Sequence, residues 1–161
     1  MANTLVLYFS ATQTTKRIAE QIAQQLGADL HELHAQQPYT TADLNWHDPD
    51  SRTSKEQHEH ASRVAIQDDL PDLAGYQNIL LGHPIWWGIP PRLITDTIDH
   101  LDLNGKQFAG FATSGGTGYG RSQRNIERTI ADNHYTATVH PGAVLMNDRQ
   151  IKQWLKELDL A

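Results

Sequence analysis

A chain of 161 residues with 39% apolar side chains, 20% charged side chains and 11 glycines has the make-up of a globular protein rather than a disordered one. Without a cysteine it can hold no disulfide framework, thiolate nucleophile or Cys-ligated metal. A net charge of −6 argues against nucleic acid as a partner and favours a basic partner over an acidic one.

At this length one core suffices, and a single domain over residues 1–161 is expected. No basic residue precedes the short apolar run near the start, so no signal peptide is expected. The longest apolar-looking stretch, 79–91, contains His83 and three prolines and is too short to span a bilayer. A cytoplasmic protein with no membrane insertion is the expectation.

In chain order, strand-like runs alternate with helical periodicity. Leu5 to Phe9 is a continuous β-rich run, as a parallel strand buried on both faces requires. Thr14 to Leu26 follows as a helix, with Ile18, Ile22 and Leu26 at i, i+4 and i+8 and Gly27 just past its end. Ala28 to Leu33 reads as a second strand. The polar stretch from Gln36 to Arg52, with Tyr39 and Trp46, reads as a long loop or insertion. Thr53-Ser-Lys-Glu56 has the spacing of a capping box, predicting a polar helix from Ser54 to Ala65.

Ile79 to Leu81 is the third expected strand, Phe108 to Ala112 the fourth, and Thr136 to Val144, broken by Pro141 and Gly142, the fifth. Pro90-Pro91 opens a helix carrying Leu93, Ile94, Ile98 and Leu101. Arg121 to Ala131 and Asp148 to Leu158 supply the last two helices. Such alternation predicts an α/β protein, a three-layer α/β/α sandwich with right-handed crossovers. Ligands bind such sheets outside the carboxyl ends of the strands. Function is therefore sought in the loops after Phe9, Leu81 and Ala112.

The first loop, Ser10-Ala-Thr-Gln-Thr-Thr15, brings four hydroxyls and several backbone N–H groups to the positive end of a helix dipole, which suits a phosphate dianion. Its plainer reading is that Ser10, Thr12 or Thr14 only caps the helix. The second loop, Gly82-His-Pro-Ile-Trp-Trp-Gly-Ile-Pro90, sets Trp86 and Trp87 side by side, and consecutive side chains cannot both face inward. At least one should cover something flat, and Gly88 leaves the backbone beside it free to change conformation. The third loop, Thr113-Ser-Gly-Gly-Thr-Gly-Tyr-Gly120, lets backbone groups approach a ligand closely. Gly115 to Ser122 also has the spacing of a Walker phosphate loop, with Arg121 where Lys belongs, so a P-loop-like nucleotide binder is a remote alternative.

A phosphate, a flat ring and a polar ring edge together describe flavin mononucleotide (FMN). The sequence resembles the flavodoxin family, and within it short FMN-binding proteins with the pattern Pro-x-Trp/Tyr-Trp-Gly-x-x-Pro, here Pro84-Ile-Trp-Trp-Gly-Ile-Pro-Pro91. The family's phosphate pattern, Ser/Thr-x-Thr-Gly-x-Thr, falls on Ser10 to Thr15, with Gln13 in place of the Gly. The resemblance implies a five-stranded parallel sheet of order 2-1-3-4-5; flavodoxin, with FMN at its β1/β3 switch point, is itself the standard example of the switch-point rule. It implies FMN contacts from Ser10, Thr12, Gln13, Thr14 and Thr15, from Pro84, Ile85, Trp86, Trp87 and Gly88, and from Thr113, Ser114, Gly115 and Gly116.

The function so implied is electron carriage through bound FMN, with redox proteins or a small-molecule acceptor as partners. The alternative is an NAD(P)H-dependent FMN oxidoreductase of the quinone reductase type, in which Tyr39, Trp46 and His47 of the insertion form one wall. The plainer reading of the insertion, favoured on the sequence, is a surface loop that buries Tyr39 and Trp46 for stability. The nine histidines read as scattered over the surface, with no metal site expected. Ser114 lacks the elbow Gly of a hydrolase nucleophile, since Ala112 stands there.

Overall fold

The period-2 alternation of the central strands divides the core in two. In β1 (Thr4–Tyr8) Leu5 and Leu7 join one apolar cluster, while Val6 and Tyr8 join the other. All of β1 is buried, which explains its unbroken apolar sequence. The computed structural model describes residues 3–59, 62–67 and 70–160.

After β1 come α1 (Thr14–Leu26), β2 (Asp29–Glu32), α2 (Arg52–Gln57), β3 (Asn78–Pro84), α3 (Arg92–Asp99), β4 (Gln107–Thr113), α4 (Gly120–Asp132), β5 (Thr138–Val139), β6 (Ala143–Val144) and α5 (Asp148–Glu157). The strands form one parallel sheet of order β2-β1-β3-β4-β5, with β6 also paired to β4. Ile18 and Ile22 of α1 and Ile151, Trp154 and Leu155 of α5 cover one face. Leu93, Ile94 and Ile98 of α3 and Ile126 and Ile130 of α4 cover the other. This is the three-layer α/β/α sandwich and the strand order expected from the sequence.

Three expectations need correction. The fifth strand is two short pieces, because Pro141 has no N–H to donate to the ladder. The ladder resumes around it through His140 N–H to the Phe108 carbonyl and Leu145 N–H to the Ala112 carbonyl, each 2.8 Å. The polar helix begins earlier and ends sooner than predicted: Ser51 caps it by accepting from the Ser54 N–H, and it stops at Gln57. The Thr53 hydroxyl donates instead to the Asp43 carbonyl (2.6 Å), so the Thr53–Glu56 capping box does not form. His60 and Ala61 of that predicted helix lie outside the described residues. Leu101 lies past the end of α3 but is buried all the same.

The strand order reverses after β2, which lies on one side of β1 while β3 lies on the other, and this puts the switch point at the carboxyl ends of β1 and β3. The loops after Tyr8, Pro84 and Thr113 therefore share one edge of the sheet.

Candidate functional site

Phe9 extends β1 by donating its N–H to the Gly82 carbonyl (3.0 Å), and the chain then turns through Ser10 to Gln13 into α1. Gln13 is the N-cap and takes the left-handed conformation, φ 74° and ψ −13°, at the place where the family pattern has Gly. No side chain caps α1 and no acidic residue stands in its first turn. The hydroxyls of Thr12 and Thr14 lie exposed, 3.5 Å apart. The Ser10 hydroxyl is buried with no hydrogen-bond partner among the described residues. The free N–H groups and positive dipole end of α1 are thus left to an anion, and the simple capping reading does not hold.

Thr15 and Thr113 are both buried and their hydroxyls meet at 2.7 Å. They tie the first loop to the third, and neither lines the cleft described below.

The second loop is a tight hairpin. Trp86 N–H donates to the Ile89 carbonyl (2.9 Å) and Ile89 N–H to the Trp86 carbonyl (3.3 Å). Trp87 (φ 54°) and Gly88 (φ 81°) between them are both left-handed, the signature of a type I′ turn. A Cβ at Gly88 would also press on the guanidinium of Arg121. Trp86 packs edge-on against Phe9 (5.9 Å between ring centroids) and Tyr39 (5.2 Å), whereas Trp87 meets His58 at the tip (5.5 Å).

Two buried side chains hold this hairpin from opposite sides. The Gln57 amide donates to the Trp86 carbonyl (3.0 Å) and the Pro90 carbonyl (3.1 Å), and its oxygen accepts from the Arg92 N–H (3.2 Å). The Ser122 hydroxyl donates to the Gly88 carbonyl (3.1 Å). In a Walker loop this hydroxyl would bind magnesium; here it is fully buried and already engaged, which removes that reading.

In the third loop the Ser114 hydroxyl accepts from Thr117 N–H (3.0 Å) and Gly116 N–H (3.4 Å), and residues 115–118 are exposed. Tyr119 then plunges beneath the sheet edge, where a Cβ at Gly110 would overlap its hydroxyl. That hydroxyl lies 2.9 Å from His83 Nε2, and His83 Nδ1 lies 2.8 Å from the Pro84 carbonyl. His83 is fully buried, an exception to the expected surface histidines. Burial pushes its pKa down to about 4 against the weaker pull of the Pro84 carbonyl. The neutral ring, with Nδ1–H donating to Pro84 and Nε2 accepting from Tyr119, is the assignment that satisfies both contacts. Burial likewise holds the Tyr119 hydroxyl protonated.

The three loops meet around a cleft of about 620 Å³. Ala11 and Thr12 line it from the first loop, Ile85, Trp86 and Trp87 from the second, and Ser114 to Thr117 from the third. The other predicted site residues, Ser10, Gln13, Thr14, Thr15, Pro84, Gly88 and Thr113, do not line it. Sequence reasoning missed Gln57, His83 and Tyr119, whose partners are distant in the chain and leave no local signal.

A fourth wall comes from Leu44 and Trp46 of the stretch between β2 and α2 and from Thr53 in the first turn of α2. The expected burial of its aromatics is half met. Tyr39 packs under the guanidinium of Arg52 (4.1 Å to the ring centre), but Trp46 is 65% exposed. No charged side chain lines the cleft among the described residues.

A doubly wound parallel sheet of order β2-β1-β3-β4-β5, with a cleft at the carboxyl ends of its strands, places the chain in the flavodoxin-like class of α/β proteins. The chain belongs to the Flavodoxin family, whose profile matches residues 3–158. Among solved structures, a protein from Bacteroides eggerthii DSM 20697 is 36% identical with a TM-score of 0.90, covering 99% of each chain. One from Bacteroides uniformis ATCC 8492 is 35% identical with a TM-score of 0.87, covering 96% of this chain and 98% of its own. A flavoprotein from Lactobacillus acidophilus NCFM, solved in complex with FMN, is 24% identical with a TM-score of 0.76, covering 96% of this chain and 99% of its own. No curated protein matches the chain.

Proposed function

We propose that this protein binds FMN in the cleft and carries electrons through it. The decisive observation is the buried, unpartnered Ser10 hydroxyl beside the uncapped N-terminus of α1. Leaving such groups unmatched costs on the order of 1–3 kcal/mol, and a phosphate dianion would satisfy them. Membership of the Flavodoxin family and the FMN bound by the Lactobacillus acidophilus protein support the same ligand.

Ser10, Thr12 and Thr14, with the N–H groups of the first loop, would hold the phosphate. Trp86 and Trp87 would cover the ring, and the backbone of Ser114, Gly115 and Gly116 would meet its polar edge. Bound FMN supplies one- and two-electron redox chemistry; the chain's own residues bind it, orient it and exclude water. No acidic residue occurs in the three loops, and Lys16, Arg17 and Arg121 flank them, which favours an anionic ligand.

Titrating FMN with the protein and following its fluorescence tests this reading. Saturable quenching at one FMN per chain is expected, and no uptake by folded protein overturns it. The second reading, an NAD(P)H-dependent FMN oxidoreductase, draws support from the exposed Trp46, which leaves an aromatic wall on the cleft. Stopped-flow mixing of the FMN form with NADPH separates the two: bleaching within seconds marks the enzyme, and an unchanged spectrum the carrier.

A further inference from the structure

The net charge of −6 is unevenly spread over the protein. Along α4, Arg121, Arg124 and Arg128 stand at i, i+3 and i+7 and share one side of the helix, away from the buried Ser122, Ile126, Thr129 and Ile130. All three are exposed, and among the described residues none of them makes a hydrogen bond or pairs with a carboxylate. The carboxylates of the adjacent α3 are engaged elsewhere: Asp99 lies 2.6 Å from the Arg63 guanidinium and Asp96 3.7 Å from the His100 ring.

Helix formation does not favour this placement. Arg121 stands in the first turn, at the positive end of the dipole, where an acidic residue is favoured and none occurs; the last turn, which favours a cation, holds none. Like charges one turn apart, as in Arg124 and Arg128, repel each other. Such a row is unfavourable for the protein alone and becomes favourable against a surface of opposite charge.

The row begins at the cleft. The Arg121 guanidinium lies against Gly88 in the tryptophan hairpin, so closely that a Cβ there would come 2.6 Å from its Nη1. The Ser122 hydroxyl holds the Gly88 carbonyl (3.1 Å), and the neighbouring Trp87 lines the cleft. A body resting on the arginines therefore has the tryptophan hairpin at its rim.

We propose that the Arg121, Arg124 and Arg128 side of α4 is the surface on which a redox partner protein docks, and that this partner presents a row of carboxylates. The proposal rests on the FMN reading above and gives the carrier its partner class. The whole-chain charge, which by itself favours a basic partner, acts at long range; within about 10 Å, the screening distance near 0.1 M salt, the local row decides.

The test has two arms, both near 0.1 M ionic strength, on wild type and on Arg124→Gln/Arg128→Gln. A control, Arg149→Gln/Lys156→Gln, makes the same change in net charge on exposed positions of α5. In the first arm the flavin-free protein is titrated into a fluorescein-labelled octaglutamate peptide and followed by anisotropy. Wild type should bind saturably, the α4 variant roughly fivefold or more weakly, and the control within about twofold of wild type. In the second arm the reduced FMN form is mixed without oxygen with succinylated cytochrome c, whose surface is acidic, and with native cytochrome c, whose surface is basic. One electron passes from the reduced flavin to each ferric haem, which becomes ferrous. The α4 variant should slow transfer to the succinylated protein severalfold and not slow transfer to the native one, with the difference lost near 0.5 M salt. The three arginines are exposed, so melting temperatures should match wild type.

Absence of saturable peptide binding, or an equal loss in the control, overturns the docking surface. Unchanged transfer to succinylated cytochrome c in the α4 variant overturns its part in electron delivery. A fall in FMN affinity in that variant would assign the arginines to the cofactor and likewise overturns it. Tighter binding of an eight-residue oligothymidylate than of octaglutamate overturns the choice of a protein partner. Failure of wild type to take up FMN is read separately from the flavin-free titration, and overturns the carrier reading and the electron-delivery role together.

Discussion

The hydroxyls of Thr15 and Thr113, 98 residues apart in the chain, meet at 2.7 Å inside the protein. One stands in the first turn of α1 and the other ends β4, so a single hydrogen bond joins two of the three loops at the sheet edge. Changing either threonine to valine leaves the other hydroxyl buried without a partner, at a cost of about 1–3 kcal/mol in urea unfolding. The double variant should lose clearly less than the sum of the singles, since it leaves no orphan. Additive losses would show that the pair is incidental.

Ser10 should behave in the opposite way. Its hydroxyl has no partner among the described residues, so Ser10→Ala is expected to leave unliganded stability unchanged or slightly raised. FMN affinity in the same variant should fall roughly tenfold or more, because a charge-assisted hydrogen bond to phosphate is lost. Thermal melts and fluorescence titration on one preparation read both effects.

Gln13 holds a left-handed backbone that costs an L residue about 1–2 kcal/mol and costs Gly less. Gln13→Gly should therefore raise stability by about 0.5–1 kcal/mol, or roughly 1–4 °C in melting temperature for a chain of this size. A lowered melting temperature would mean that the Gln13 side chain contributes more than its backbone costs.

Gln57 holds the tryptophan hairpin through three hydrogen bonds while lying almost wholly out of water. Gln57→Leu strands two carbonyls and one N–H group, and a loss of about 2–4 kcal/mol is expected. FMN binding should weaken as well, since Trp86 and Trp87 lose their anchor. Retention of full FMN affinity would separate the hairpin from the site.

His83 makes stability depend on pH. Its pKa is about 4 in the folded protein and 6.5 when free, so between those values the unfolded chain binds the extra proton. The contribution is present above pH 6.5 and is lost as pH falls toward 4. Lowering the pH from 7 to 5 should cost about 2 kcal/mol from this group. Urea midpoints at the two pH values, compared with those of His83→Gln, isolate it; equal pH dependence in both proteins would rule the group out.

Legibility in the sequence followed the range of the interactions. The helix α1 was plain from Ile18 and Ile22 and its closing Gly27, and β1, β3 and β4 from apolar runs buried on both faces. The three loops were plain from their Gly, Thr and Trp content and do converge on one cleft. The capping box at Thr53 misled because Ser51 competes for the helix start and Asp43 takes the Thr53 hydroxyl. Trp46 misled because apolar character predicts burial, whereas its surrounding turns are held by Asp43, Asn45 and Asp48.

Read alone, the order of amino acids determined the alternation of strands and helices, hence the doubly wound sheet, and with it the edge where a ligand must sit. These are matters of periodicity and turn chemistry, carried by neighbours a few residues apart. Only the tertiary structure decided which hydroxyls are free and which engaged. Ser10 is unpartnered, while Thr15 and Ser122 are bonded to groups 98 and 34 residues away. It alone decided that Trp46 stays in water and His83 does not. Burial and hydrogen-bond satisfaction depend on what the fold brings alongside, and no local pattern records that.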